Sequence, residues 1–168
     1  MKALWAWAVL LVAASTLSAT EYSYSNSGGT VSQTSTTLTI SGATLGSPAG
    51  TVTMSCELNS ILPSYGFTSE WTCTGGSLTL QSTDGRTSLS GVFTNGVFTL
   101  IQSEKNRVYY YNYTLYANFS ASQKINGKTI GAAGAVMETL PTMTSPLNPT
   151  TGTIQSGLID TSQQYEPL

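Results

Sequence analysis

The sequence predicts an all-β fold, an antiparallel meander of about seven or eight strands forming a β-sandwich or an up-and-down barrel. Three observations predict it. Apolar and polar residues alternate at period two through most of the chain, as a half-buried strand requires. The dipeptides Asp84-Gly85, Asn95-Gly96 and Asn126-Gly127 sit between such runs, and dipeptides of this kind favour tight hairpin turns with positive φ. No proline interrupts the chain between Tyr65 and Leu140, so every residue there except at turns can donate to a ladder.

The chain opens with Lys2, an apolar run over residues 3–14 and a small, polar stretch over residues 15–19. A positive tip, a short apolar segment and a small residue at the cut describe a secretory signal peptide, residues 1–19. Twelve apolar residues fall short of the roughly 20 needed to span a bilayer. Residues 20–35 are rich in Ser, Thr, Gly and Tyr with little periodicity and read as a flexible or edge segment. The all-β domain is expected over residues 36–140. It starts with a strand near residues 36–40, followed by two strands that carry Val52, Met54, Cys56 and Leu58, then Trp71 and Cys73.

Over residues 76–140 the turns predict a five-strand meander. A turn at Asp84-Gly85 puts Leu80 opposite Leu89, and one at Asn95-Gly96 puts Phe93 opposite Phe98. One at Glu104-Lys105 puts Leu100 opposite Tyr109. One at Asn126-Gly127 puts Phe119 opposite Gly134 and Ala117 opposite Val136. All four place the large apolar side chains on one face, and a one-residue slip in any hairpin would send its set to the other face. Glu138 falls on that same face opposite Leu115, near the sheet end, where it is expected to reach solvent. Residues 141–168 hold four of the six prolines and read as a Pro/Thr-rich tail or linker with room for one short strand at residues 152–159.

Composition narrows the function. Removing Lys2 with the leader leaves five basic and eight acidic side chains, so nucleic acid is not an expected partner. No membrane span is expected in the mature form. Charged residues are 8% of the chain, while serine and threonine make up 50 of its 168 residues. The chain has no histidine, which removes the commonest general base and metal ligand. Cys56 and Cys73 are expected to form a disulfide in an oxidising compartment. With both thiols oxidised, a cysteine nucleophile is excluded too. Neither a metal nor a cofactor is expected.

Two carboxylates, Glu57 and Glu70, flank the cysteines and are the only acids that invite comparison with a glycosidase pair. Two solvated acids on a strand surface is the preferred reading. The tyrosine-rich stretch offers a binding surface: Tyr110, Asn112, Tyr116 and Asn118 share the face opposite the core, and flat rings beside amides suit sugars. Ordinary strand packing of amphipathic rings is the competing account. Small residues on the core face, Ala117, Ala121, Ala132 and Gly134, would leave room for an apolar ligand in a closed barrel unless larger neighbours fill it. Asn112-Tyr113-Thr114 and Asn118-Phe119-Ser120 match the N-glycosylation pattern.

These features predict a secreted, non-catalytic β-domain, extracellular or at the cell surface, with a structural or surface-interaction role. The alternative is an extracellular carbohydrate- or small-ligand-binding module. A glycan or another surface protein is the expected partner.

Overall fold

A computed structural model describes residues 22–65 and 67–161, with the side chains of 62–65 left aside. The signal peptide expected at residues 1–19 lies outside the described residues. Eight strands follow one another: β1 Ser23–Gln33, β2 Thr37–Leu45, β3 Gly50–Tyr65, β4 Thr68–Ser82, β5 Thr87–Lys105, β6 Val108–Ile125, β7 Lys128–Thr139 and β8 Gly152–Asp160. Each pairs antiparallel with its neighbour in sequence, and β8 returns to β1, closing an up-and-down barrel. Of the two predicted architectures, the barrel is the one formed.

The barrel reaches beyond the 36–140 span on both sides. Residues 23–33, read as flexible, form β1 and pair with both β2 and β8. Their inward positions, Tyr24, Asn26 and Val31, are buried, but the polar residues around them hide the alternation. The tail supplies β8. Ahead of it, residues 140–147 fold across the barrel, where Leu140 and Leu147 are buried and Met143 packs on the core. Tyr113 anchors this segment: its carbonyl accepts the Leu140 amide at 3.1 Å and its hydroxyl the Leu147 amide at 3.1 Å. Tyr22 and Thr161 clasp the two ends of the described chain, with the Thr161 amide donating to the Tyr22 carbonyl at 2.9 Å and the Tyr22 amide to Thr161 Oγ1 at 2.8 Å.

Two of the predicted hairpins stand in register. Leu80 pairs with Leu89, and Phe119, Ala117 and Ala121 pair with Gly134, Val136 and Ala132. At the second turn, Asn126 and Gly127 both adopt positive φ. The hairpin expected at Glu104-Lys105 turns instead at Asn106-Arg107, where both residues have positive φ. Leu100 therefore meets Tyr113, not Tyr109. Asparagine tolerates the left-handed conformation better than glutamate or lysine does. The displacement is an even number of residues, so every side chain keeps its face.

Asn95-Gly96 is not a turn. β5 runs through it, and the β5–β6 ladder shifts register between Phe93 and Asn95. The dipeptide has the chemistry of a turn, and Phe93 and Phe98 on either side of it share a face although an odd number of positions separates them. A bulge inserts one residue and switches the alternation just as a two-residue turn would. Gly96 does not show positive φ; a Cβ there would overlap Ala117 across the ladder. Residues 76–140 therefore hold four strands, not five.

Most of the buried side chains are apolar. Phe98 stacks on Tyr113 with centroids 5.5 Å apart, and Trp71 packs on Phe98 at 5.7 Å. Cys56 and Cys73 are buried and joined across β3 and β4, with Cα atoms 5.3 Å apart. Closing a loop of that separation stabilises a fold by about 3 kcal/mol in the chain-entropy account. The bond fits an oxidising compartment.

Candidate functional site

Antiparallel pairing aligns residues of successive strands into rows around a barrel, and pleating sends alternate rows in and out. Two adjacent rows on β5 to β1 hold the features of interest. The outward row runs Val97, Tyr116, Met137 and Leu158, each directly opposite the next. Tyr116 is 37% exposed and Met137 is also exposed, so an apolar ladder crosses the outer wall of four strands. Ile101 and Val92 are further exposed apolar side chains on β5.

The four residues singled out from the sequence do not form one open platform. Tyr116 is the most open of them. Tyr110 and Asn112 are half-buried, and Asn112 Oδ1 accepts the Thr142 hydroxyl at 2.7 Å. That contact comes from the segment ahead of β8, read as tail, so no local pattern signals it. Asn118 is only 8% exposed and lies in an open groove with Thr94, Asn95, Ser120 and Ala133. The bulge in β5 shapes this groove. Leu158 was absent from the predicted surface because nothing in its local sequence shows that β8 joins β7.

The inward row, one residue along, runs Leu115, Glu138, Gly157 and Asn26. Glu138 does lie opposite Leu115, but it does not reach solvent: it is 0% exposed. What looked like a sheet end is covered by β8 and β1 once the barrel closes. Asn26 Nδ2 donates to Glu138 Oε1 at 2.8 Å, and Asn26 is itself 4% exposed. Burial pushes the Glu138 carboxyl up to about 8, against the smaller downward pull of the Asn26 hydrogen bond. Gly157 makes the space, since a Cβ there would overlap Glu138 Oε2 and sit 2.5 Å from Asn26 Oδ1.

Nothing else gathers into a reactive cluster among the described residues. Glu57 pairs with Thr74, while Glu70 pairs with Leu62, five positions further along β3. At about 3.3 Å per residue that separates the two acids by roughly 16 Å, beyond either glycosidase spacing. No group of three or more metal-ligating side chains occurs among the described residues. Inside the barrel, a void walled by Leu38, Ile40, Met54, Phe93 and Leu115 is too small to admit a water molecule. At Gly134 the backbone of Asp160 and Thr161 occupies the place a side chain would take.

Protein-family models, curated proteins and solved structures were compared with the chain, and none matches it.

Proposed function

We propose that this chain is an exported, non-catalytic β-barrel that acts through its outer wall, in a structural or surface-interaction role. The filled interior is the observation that carries the reading. A barrel that stores or transports a small molecule needs a cavity, and the space here is occupied by Leu, Ile, Met and Phe side chains. The outer wall is dominated by serine, threonine and amide side chains, the reverse of a membrane-spanning barrel with its apolar exterior and polar lumen. The ladder from Val97 to Leu158, with Tyr116 and Met137 exposed at its centre, supports contact with another surface.

Carbohydrate binding is the second reading, and a specific observation favours it. Thr94, Asn95, Asn118 and Ser120 converge on one groove, on the same outward face as the Tyr116 ring. One experiment separates the two. The disulfide-bonded protein is screened against a panel of polysaccharides, beside Tyr116→Ala and Met137→Ser variants. Saturable glycan binding lost in Tyr116→Ala would replace the first reading with the second. Absence of glycan binding, with adsorption to a protein-coated surface weakened in both variants, supports the first. Turnover of any glycan substrate would overturn both.

A further inference from the structure

Among the described residues, two buried side-chain atoms are left without a hydrogen-bond partner, Asn26 Oδ1 and Glu138 Oε2. They belong to the two residues already joined by the Asn26 Nδ2 to Glu138 Oε1 bond. Both atoms also converge on the space left by the missing Gly157 side chain. An ionised carboxylate would leave two acceptors facing each other in an apolar interior. Turning the Asn26 amide over only exchanges which oxygens meet. A single proton on Oε2 resolves both: Oε2–H donates to Oδ1 while Nδ2–H donates to Oε1, as in a paired acid and amide.

We propose that Glu138 stands in the folded barrel as the neutral carboxylic acid, joined to Asn26 by two reciprocal hydrogen bonds, and that this pair latches the β7–β8–β1 seam. The seam is where a latch matters. β7 and β8 pair only over Ala135–Thr139 and Ser156–Asp160, and the β1–β8 ladder shifts register on either side of Gly28. Asn26 and Glu138 bridge across β8 at the middle of that ladder, over Gly157. When the seam opens, Glu138 meets water and gives its proton to bulk base. Opening is then coupled to ionisation, and alkaline conditions favour the open seam.

No charge on the surrounding strands compensates an ionised Glu138. On β1 the inward titratable group is Tyr24, whose hydroxyl accepts the Gln123 amide. On β6 the inward titratable groups are Tyr113, stacked on Phe98, and Tyr111, two residues further from Leu115 and packed against the core. Burial pushes the Tyr24 and Tyr113 phenols up, so both stay neutral. Asp160 on β8 follows the inward Ile159 and takes the opposite face. The inward partner of Glu138 on β8 is Gly157 itself.

The test is a carbon-13 NMR titration of the Glu138 side-chain carboxyl in the folded, disulfide-bonded protein, with amide exchange measured alongside. The carboxyl is expected to keep its protonated shift through pH 6 and titrate near 8. Exchange of the Glu138 and Ile159 amides, corrected for its intrinsic pH dependence, should rise about tenfold per pH unit between pH 5 and 7. Exchange at Met54 and Leu80, buried far from the seam, should stay slower than at the seam at every pH, because those amides open only when the whole barrel unfolds. In Glu138→Gln, whose amide can make the same two bonds, the seam rise should vanish. A carboxylate shift at pH 6, or an unchanged seam rise in Glu138→Gln, would overturn the proposal. The titration needs no variant, so a misfolded substitution would not spare it.

Discussion

Raising the pH from 4 to 9 should destabilise this protein in a way that one substitution removes. The ordinary value for the Glu138 carboxyl is 4.5, and in the folded barrel it stands at about 8. Below pH 4.5 folded and unfolded chains both hold the proton, and the group adds no pH dependence. Between 4.5 and about 8 only the folded chain holds it. Stability present at low pH is then lost at about 1.4 kcal/mol per pH unit. Above about 8 the loss is complete, at about 5 kcal/mol as an upper figure. That is a large share of the 5–15 kcal/mol typical of a domain. The assay is urea unfolding followed by the fluorescence of Trp71, which packs 5.7 Å from Phe98, at half-unit steps of pH. The wild-type midpoint should fall from pH 5 to 8 and then level off. Glu138→Gln should match the wild type near pH 4 and show no fall. Asp84 sets the opposite limb: its carboxyl accepts from Ser82 Oγ and the Arg86 amide and is held below the usual range. Its contribution is present above its ordinary value and lost as pH falls through the folded one. A wild-type stability that is flat or rising from pH 5 to 8 would refute the reasoning, as would an equal slope in Glu138→Gln.

Other perturbations probe other parts of the barrel. Replacing Cys56 and Cys73 together by serine should cost about 3 kcal/mol, read as a lower denaturation midpoint that reductant no longer shifts. Gly96→Ala should destabilise by about 1–3 kcal/mol, because its Cβ would meet Ala117, whereas Gly131→Ala, which points into open space, should be nearly neutral in the same melting assay. Tyr113→Phe should cost about 1–3 kcal/mol by leaving the Leu147 amide unpaired, and limited proteolysis should then cut first within residues 140–151.

The sequence carried the middle of the fold well, and for a local reason. At Asp84-Gly85 and Asn126-Gly127 the turn chemistry and the flanking alternation both act within a dozen residues, so register follows from neighbours alone. Phe93 and Phe98 show the ambiguity of such reasoning. A switch in alternation has two physical solutions, and only the tight approach of Gly96 to Ala117 across the ladder selects the bulge. Glu138 marks the boundary more sharply. Its face was legible from its pairing with Leu115, but its burial depends on β8 and β1, separated from it by a covering segment and by most of the chain. The seam residues Asn26, Gly157 and Leu158 are polar, small or solitary in their local context, so no periodicity identifies them. Tyr116 was legible as outward-facing for the same reason that Phe119 was legible as core. The engagement of Asn112 by Thr142 was not, since a side-chain contact between distant segments leaves no local pattern.

The clasp between Tyr22 and Thr161 has a mechanical consequence. It sets the two ends of the barrel side by side, at the matching ends of two neighbouring strands. Tension applied through both ends would load the β1–β8 ladder one rung at a time, as a zip is opened, and not all rungs together as in shear. The first rungs to carry the force join Ser23 to Asp160 and Tyr24 to Ile159, and the irregular stretch at Gly28 comes soon after. A barrel strung this way is a compliant link under pull, well suited to hanging from a surface at one point and poorly suited to serving as a strut between two.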